Sequence, residues 1–237
     1  MRAVIPALRY ADLLAVILPA WVQMLGAEAL TVVTEPEDHE THEVASAHGV
    51  GLVATHAWSR DEAMLNKAAA LDEAFGITPG YRRPPAPGEL CLSLDADVYP
   101  FGRFPGEDEV QPDVLYGCAR YHCLTPRDLR LHRRGRTPRE RLALIPPKVR
   151  GATYVQCPNT REHALWSARR CLGYFQLFRY RAGLAFGSYR TAGKYDLDFR
   201  RQFPATAALW DLYVLHLGEQ NRANWRGRVT PRWSTAP

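Results

Sequence analysis

Two aspartates one residue apart, Asp95 and Asp97, close the stretch LCLSLDADVYP at residues 90–100. Carboxylates resist leaving water more than most side chains, yet these two follow an apolar run that reads as a buried strand. In an extended backbone residues i and i+2 point to the same side, so the two charges are expected within several ångströms of each other. Left alone, one of them would be driven toward protonation. A hard divalent cation such as Mn²⁺ or Mg²⁺ removes the conflict, because it takes oxygen ligands and also binds substrate phosphate oxygens. The pair is thus a candidate handle for a nucleoside diphosphate. The plainer reading is two solvated residues at a strand end.

The elements that must hold this pair are legible as alternating strand and helix units. RAVIPAL opens the chain as a strand, and the apolar stretch Leu13 to Leu25 reads as a buried helix. It is interrupted by Pro19 and is shorter than the roughly 20 residues a membrane span needs. ALTVVT (29–34) is a second strand, a helix runs through HEVASAHG to Gly49, and VGLVAT (50–55) is a third strand. RDEAMLNKAAALDEAFG is expected to be one continuous helix closed by Gly76, and residues 90–94 form a fourth strand. Near-continuous apolar strands alternating with helices predict an α/β fold, a mostly parallel central sheet flanked by helices. Ligands of such sheets bind outside the carboxyl ends of the strands, where Asp95 and Asp97 fall. The second half is less regular, with a strand at 114–123, a helix near 160–171 and the apolar run LGYFQLF. No linker separates the halves, so a single domain with two functional halves is expected, 1–98 and 99–237.

The net charge of +5 is local in origin: residues 120–150 hold ten arginines or lysines against Asp128 and Glu140. Such a segment suits a polyanionic partner, while its bland alternative is pairing with the protein's own acids. The five cysteines form no CxxC pair and are odd in number, which points to a reducing compartment, the cytoplasm. Cys118, His122, Cys123 and Cys157 would suit a structural zinc in a non-catalytic, arginine-rich nucleic-acid-binding protein, although their spacing is outside the usual tight patterns.

Four segments in order, RDEAMLNKAAALDEA, LSLDADVYP, TAGKYDLDFRRQFP and LYVLHLGEQNRANWRGR, resemble those of nucleotide-sugar glycosyltransferases of the A-type fold, in particular the family-two-like and galactosyltransferase-like members. The resemblance covers nearly the whole chain. It implies the A-type fold and a metal-dependent transfer from a nucleoside-diphosphate sugar, most readily a UDP-sugar, to a hydroxyl acceptor. Asp95 then matches the residue contacting ribose or donor sugar, and Asp97 the direct ligand of Mn²⁺ or Mg²⁺, with His216 as a second ligand. Asp196 matches the acid that takes the acceptor's proton, with Asp198 as the alternative. Asn66 and Lys67 match a helix pair near the donor's phosphates or sugar. Pro6, Ala7, Arg9, Thr34 and Glu35 occupy positions that hold the nucleoside. An inverting single displacement is the expected chemistry. Phage members of this broad class glycosylate hydroxymethylated bases in DNA, so the basic segment makes double-stranded DNA an expected partner, with Tyr121 available to support a flipped base and the host cytoplasm as the location. A saccharide or lipid-linked acceptor is the alternative.

Overall fold

β1 (Arg2–Pro6) is followed by α1 (Ala11–Leu25), β2 (Leu30–Thr34) by α2 (His39–Ala47), and β3 (Gly51–Ala54) by α3 (Lys67–Phe75). Then come β4 (Leu90–Leu94), β5 (Val98–Gly102), β6 (Val114–Cys123), α4 (Pro126–Arg134), α5 (Pro138–Ala143), and the short strands β7 (Lys148–Arg150) and β8 (Gln156–Pro158). The chain continues through α6 (Arg161–Arg169), β9 (Phe175–Arg179), α7 (Tyr195–Arg200) and β10 (Ala205–Leu217). This computed structural model describes residues 1–78, 80, 82–123, 125–144, 148–150, 156–158, 161–192, 194–218 and 232–233.

One eight-stranded sheet runs through both halves in the order β3-β2-β1-β4-β9-β6-β10-β5, with β7 and β8 forming a separate pair. β1, β2, β3 and β4 are mutually parallel, β6 is parallel to β10, and only β9 and β5 run against the rest. The α/β class and the mostly parallel sheet are therefore as the sequence implies. Among the described residues no helix is long and apolar enough to cross a membrane.

The two faces of the sheet explain the unbroken apolar strands. Ala3, Ile5, Leu90, Leu92 and Leu94 face a core shared with Leu13, Leu14, Ile17, Leu18 and Trp21 of α1. Val4, Val33 and Cys91 face a second core with Ala68, Leu71 and Phe75 of α3 and the rings of Phe178, Phe186 and Phe199. With helices on both sides, neither face of the strand can be polar. α1 itself is only half-buried, because Ala15, Pro19 and Gln23 lie on its outer side. The proline is thereby placed away from the packed face.

On the other side of the molecule, α6 comes very close to β6 at Gly117. A methyl group there would sit 2.3 Å from the Ala168 carbonyl oxygen, so only glycine allows this approach.

The expected continuous helix over 60–76 is corrected. A 3₁₀ segment (His56–Glu62) ends the first part, and α3 begins only after Asn66. The amides of Met64 and Leu65 turn away to the Arg190 carbonyl, that of Asn66 bonds to Trp58, and the Asn66 side chain accepts from Ala69 N–H as an N-cap. The break brings Lys67 to the first turn of α3, where the helix dipole disfavours a cation unless an anion faces it.

The basic segment forms α4 and α5. Each opens with a capping box on a TPR(D/E) tetrapeptide, Thr125 with Asp128 and Thr137 with Glu140. His132 of α4 is fully buried, its ring 4.0 Å from that of Phe101. Burial, with the charges of Arg141 and Arg133, pushes it down from 6.5 to about 4. Between those values the unfolded chain takes up a proton that the native chain refuses, so stability falls as the pH drops through that window. His122, pushed down to about 2 mainly by burial, acts in the same direction. Urea unfolding of the wild type is accordingly expected to show a midpoint that declines below pH 6.5. His132→Phe should decline less steeply, and an unchanged slope would place the sensitivity elsewhere.

Candidate functional site

All six parallel strands present their carboxyl ends at one edge of the sheet, and the candidate residues gather there. Leu90, Leu92 and Leu94 alternate toward α1, so Asp95 points to the opposite face, where α3 lies. Its carboxylate is in contact with the Lys67 ammonium. The backbone of Asp95 is pinned as well, its N–H donating to the Tyr174 carbonyl at 3.0 Å.

The expectation that Asp95 and Asp97 extend along one strand is corrected. β4 ends at Leu94, and residues 95–98 form a turn in which Val98 N–H donates to the Asp95 carbonyl at 3.4 Å. The chain then reverses into β5, which pairs antiparallel with β10 so that His216 lies opposite Val98. Leu217 N–H donates to the Asp97 carbonyl at 2.7 Å. This register sets Asp97 Oδ1 3.5 Å from His216 Nε2. The turn thus splits the two carboxylates, one to α3 and one to β10. They still sense each other: burial pushes the Asp95 carboxyl up and the Asp97 charge adds to it, against the pull of Lys67.

Burial also works against the Lys67 charge, but Asp95 and Tyr195 outweigh it and hold the ammonium above its ordinary value. The Lys67 nitrogen lies 5.2 Å from the centre of the Tyr195 ring. Lys67, Asp97 and His216 side chains are each 12–13% exposed and Asp95 26%, so the group is sunken but open to solvent.

Burial, reinforced by the Arg120 charge, pushes His216 down to about 3, which leaves a neutral imidazole at ordinary pH. A neutral imidazole and a carboxylate oxygen are ligands a divalent cation accepts. Their 3.5 Å separation compares with roughly 3 Å for two ligands at right angles on an ion with bonds near 2.1 Å. The pair therefore fits such an ion. Among the described residues no group of three or more His, Cys, Asp or Glu side chains is placed to hold a metal. The remaining coordination would fall to substrate oxygens and water. For the zinc alternative, Cys118 and Cys123 are buried thiols pushed up by burial, and the side chain of Cys157 lies outside the described residues.

Asp196 and Asp198 do not lie on one face of a strand, because TAGKYDLDFRRQFP folds into α7 and residues two apart on a helix point about 200° apart. Asp196 turns inward: Oδ2 accepts from Gly173 N–H at 3.1 Å and Oδ1 from Leu197 N–H at 2.9 Å. Burial pushes its carboxyl up, and the charges of Lys67 and Asp95 reach it. Asp198 turns outward, accepting from Tyr189 OH at 3.0 Å and pairing with Arg201 at 2.6 Å.

Asn66 is fully buried and its amide is taken up within the fold. Oδ1 also accepts from Tyr189 N–H at 3.1 Å, and Nδ2 donates to Ser188 Oγ at 2.8 Å. Asp72 of the same helix accepts from Phe186 N–H at 2.7 Å and Gly187 N–H at 2.9 Å. α3 thereby holds the 186–189 loop that leads toward α7. The sequence reading did not single out Asp72, Tyr195 or Tyr174.

At the tips of β1 and β2, Pro6 and Ala7 are buried, and Ala7 N–H donates to the Val33 carbonyl at 2.9 Å. The Thr34 hydroxyl donates to Asp38 Oδ2 at 2.7 Å, and Arg9 N–H donates to the same oxygen at 2.6 Å. Arg9 and Glu35 line a cavity of about 350 Å³ together with Asp12, Glu37, Asp38 and Glu40. A larger cavity of about 510 Å³ lies between α6 and α7. Neither is lined by Asp95, Asp97 or His216; the segment 219–231, which includes the NWRGR sequence, lies outside the described residues. Tyr121 is corrected to a core residue, 6% exposed and packed edge-on against Tyr213.

No protein-family model matches the chain, and no curated protein does. Among solved structures, mannosyl-3-phosphoglycerate synthase from Rubrobacter xylanophilus aligns at 20% identity over 52% of this chain and 40% of its own, with a TM-score of 0.33. A mycobacterial protein aligns at 15% identity over 93% of this chain and 67% of its own, with a TM-score of 0.41. Glucosyl-3-phosphoglycerate synthase from M. tuberculosis aligns at 16% identity over 93% and 72%, with a TM-score of 0.37. These are loose likenesses in chain path, and the chain spans less than half the length of the first protein.

The Asp95–Lys67 contact generates a stability prediction. Lys67→Met leaves a half-buried carboxylate unpaired; partial exposure keeps the cost below that of breaking a fully buried pair, at about 1–3 kcal/mol. Urea unfolding should show a loss of that order for Lys67→Met and recovery of much of it in the Lys67→Met/Asp95→Asn double variant. A single variant as stable as the wild type would mean that the contact does not organise the site.

Proposed function

We propose that the protein is a glycosyltransferase that moves a sugar from a nucleoside-diphosphate sugar to a hydroxyl acceptor. The observation that carries this reading is the meeting of Asp97 and His216, 3.5 Å apart, beside the Lys67-bound Asp95 at the carboxyl edge of the sheet. Asp97 and His216 would hold Mn²⁺ or Mg²⁺. A cation so held supplies Lewis-acid neutralisation of the leaving diphosphate.

The rest is done by the chain itself. Lys67 fixes the Asp95 carboxylate, whose free edge accepts hydrogen bonds from ribose or donor-sugar hydroxyls. The cavity at the tips of β1 and β2, with Arg9 and Glu35, takes the nucleoside; its many carboxylates suit hydroxyl groups better than phosphates. UDP-sugars are the first donors to test. Asp196 accepts the acceptor's proton, and burial, which raises its carboxyl above the ordinary value, makes it a stronger base than an exposed aspartate. Attack from its side, opposite the leaving group, inverts the anomeric centre. Asp198, engaged by Arg201 and Tyr189, is the weaker candidate. In this reading residues 1–98 bind the donor, and 99–237 complete the metal site and bind the acceptor.

One observation favours hydroxymethylated double-stranded DNA as acceptor. Asp128 and Glu140 are engaged in capping boxes, while Arg127, Arg130, Arg133, Arg134, Arg136 and Arg139 are exposed. Such a surface binds phosphate backbone with strong salt dependence.

The test is nucleoside-diphosphate release from UDP-, GDP- and dTDP-sugars, with Mn²⁺ or EDTA, with and without hydroxymethylated duplex. Metal-dependent release from one donor class is expected. Asp196→Asn should lower kcat roughly 100-fold or more, and Asp198→Asn far less. No release from any donor would sink the enzyme reading, and release indifferent to the duplex would remove DNA as acceptor.

A further inference from the structure

The larger cavity, about 510 Å³, is lined by Glu162, Leu165, Trp166, Arg169, Arg170 and Arg200. Arg169 and Arg170 come from the end of α6 and Arg200 from α7. Among the described residues none of the three forms an ion pair with a carboxylate. Arginines at a helix C-terminus are favoured by its dipole, which accounts for Arg169 and Arg170 but not for a third arginine, from a different helix, lining the same cavity. Three arginines against the single carboxylate of Glu162 leave an excess of positive charge around one concavity, and a bound anion offsets it.

The cluster is also ordered. The Arg170 guanidinium lies 4.5 Å from the centre of the Trp166 ring, and His163 stacks on the same indole at 5.5 Å. Trp166 is 47% exposed, so its ring is available at the cavity surface. A guanidinium held against an indole loses less freedom when it grips an oxyanion, and its planar fork matches phosphate bidentately.

The cavity borders the candidate base. Arg200 follows Asp196 by four residues on α7, placing the two on one side of the helix. The turn after Arg170 continues to Gly173, whose N–H donates to Asp196 Oδ2 at 3.1 Å. Cys171 within this turn has φ of 45°, a strained value for a non-glycine residue.

We propose that Arg169, Arg170 and Arg200 form a subsite for a small molecule carrying a phosphate monoester, and that such a molecule, in place of DNA, is the acceptor whose hydroxyl faces Asp196. The acceptor role rests on the glycosyl-transfer reading; the binding of phosphate does not. The volume exceeds that of phosphate alone and falls in the range of small-ligand sites.

Calorimetric titration with inorganic phosphate and with glycerol 2-phosphate, without donor or metal, tests the subsite separately from turnover. Saturable binding is expected, weakened roughly tenfold or more by Arg200→Gln and by Arg169→Gln, and unchanged by Arg83→Gln, an exposed arginine elsewhere. Glycerol should not bind. Equal weakening by Arg83→Gln, no effect of Arg200→Gln, or saturable binding of a DNA duplex but of neither phosphate compound would overturn the proposal. In a transfer assay, phosphorylated alcohols should outperform their unphosphorylated forms as acceptors, and Arg200→Gln should raise their KM more than it lowers kcat. Phosphate binding without such a preference would retain the subsite and remove its acceptor role.

Discussion

A carboxylate and an ammonium share a half-buried niche at the tip of the central strand, and the arrangement of the site depends on that contact. Asp95 cannot avoid the niche: the alternation of LCLSL points it to the α3 side of a sheet covered on both faces. Lys67 cannot avoid it either, since the break before α3 leaves it on the first turn of that helix, against the positive end of the dipole. Each charge is unfavourable where it stands, and each is made tolerable by the other. Removing either partner leaves a half-buried charge without its counter-ion, which is why the pair ties the helix to the strand more tightly than its net energy suggests.

From that tie the geometry propagates in two directions. Through α3, Asn66 and Asp72 clamp the 186–189 loop and so guide the chain toward α7 and Asp196. Through the turn at 95–98, the chain reverses into β5, and pairing with β10 brings His216 beside Asp97. Residues far apart in sequence are thus assembled by one helix cap, one turn and one strand register. None of these is itself chemically reactive.

How much of this could be read beforehand differs by element. β4 and β6 were legible at the residue level, because apolar runs bounded by charged or turn residues have clear ends. The helix over 60–76 was not, because its apolar spacing continues across Asn66, while the cap that breaks it depends on Tyr189 and Arg190 over a hundred residues away. α7 was left open between strand and helix, because two acids at i and i+2 look the same in a strand and in a short helix. By contrast, α4 and α5 carried a local signal that went unread, the repeated TPRD and TPRE capping boxes. The arginine cavity had no signal at all, since Arg200 joins Arg169 and Arg170 only through the packing of two helices. Asp95, Asp97, Lys67, His216 and Asp196 were each named from the sequence; the turn that divides the two aspartates between different partners was not.

The central claim is that Asp97 and His216 are the protein's two ligands for a divalent cation shared with a nucleoside diphosphate. Titrating Mn²⁺ into the protein by calorimetry, with and without UDP, tests it most directly. The account predicts one ion bound per chain, tightened by UDP, with affinity lowered roughly tenfold or more by either Asp97→Asn or His216→Ala. Mn²⁺ binding by Asp97→Asn indistinguishable from that of the wild type would contradict it.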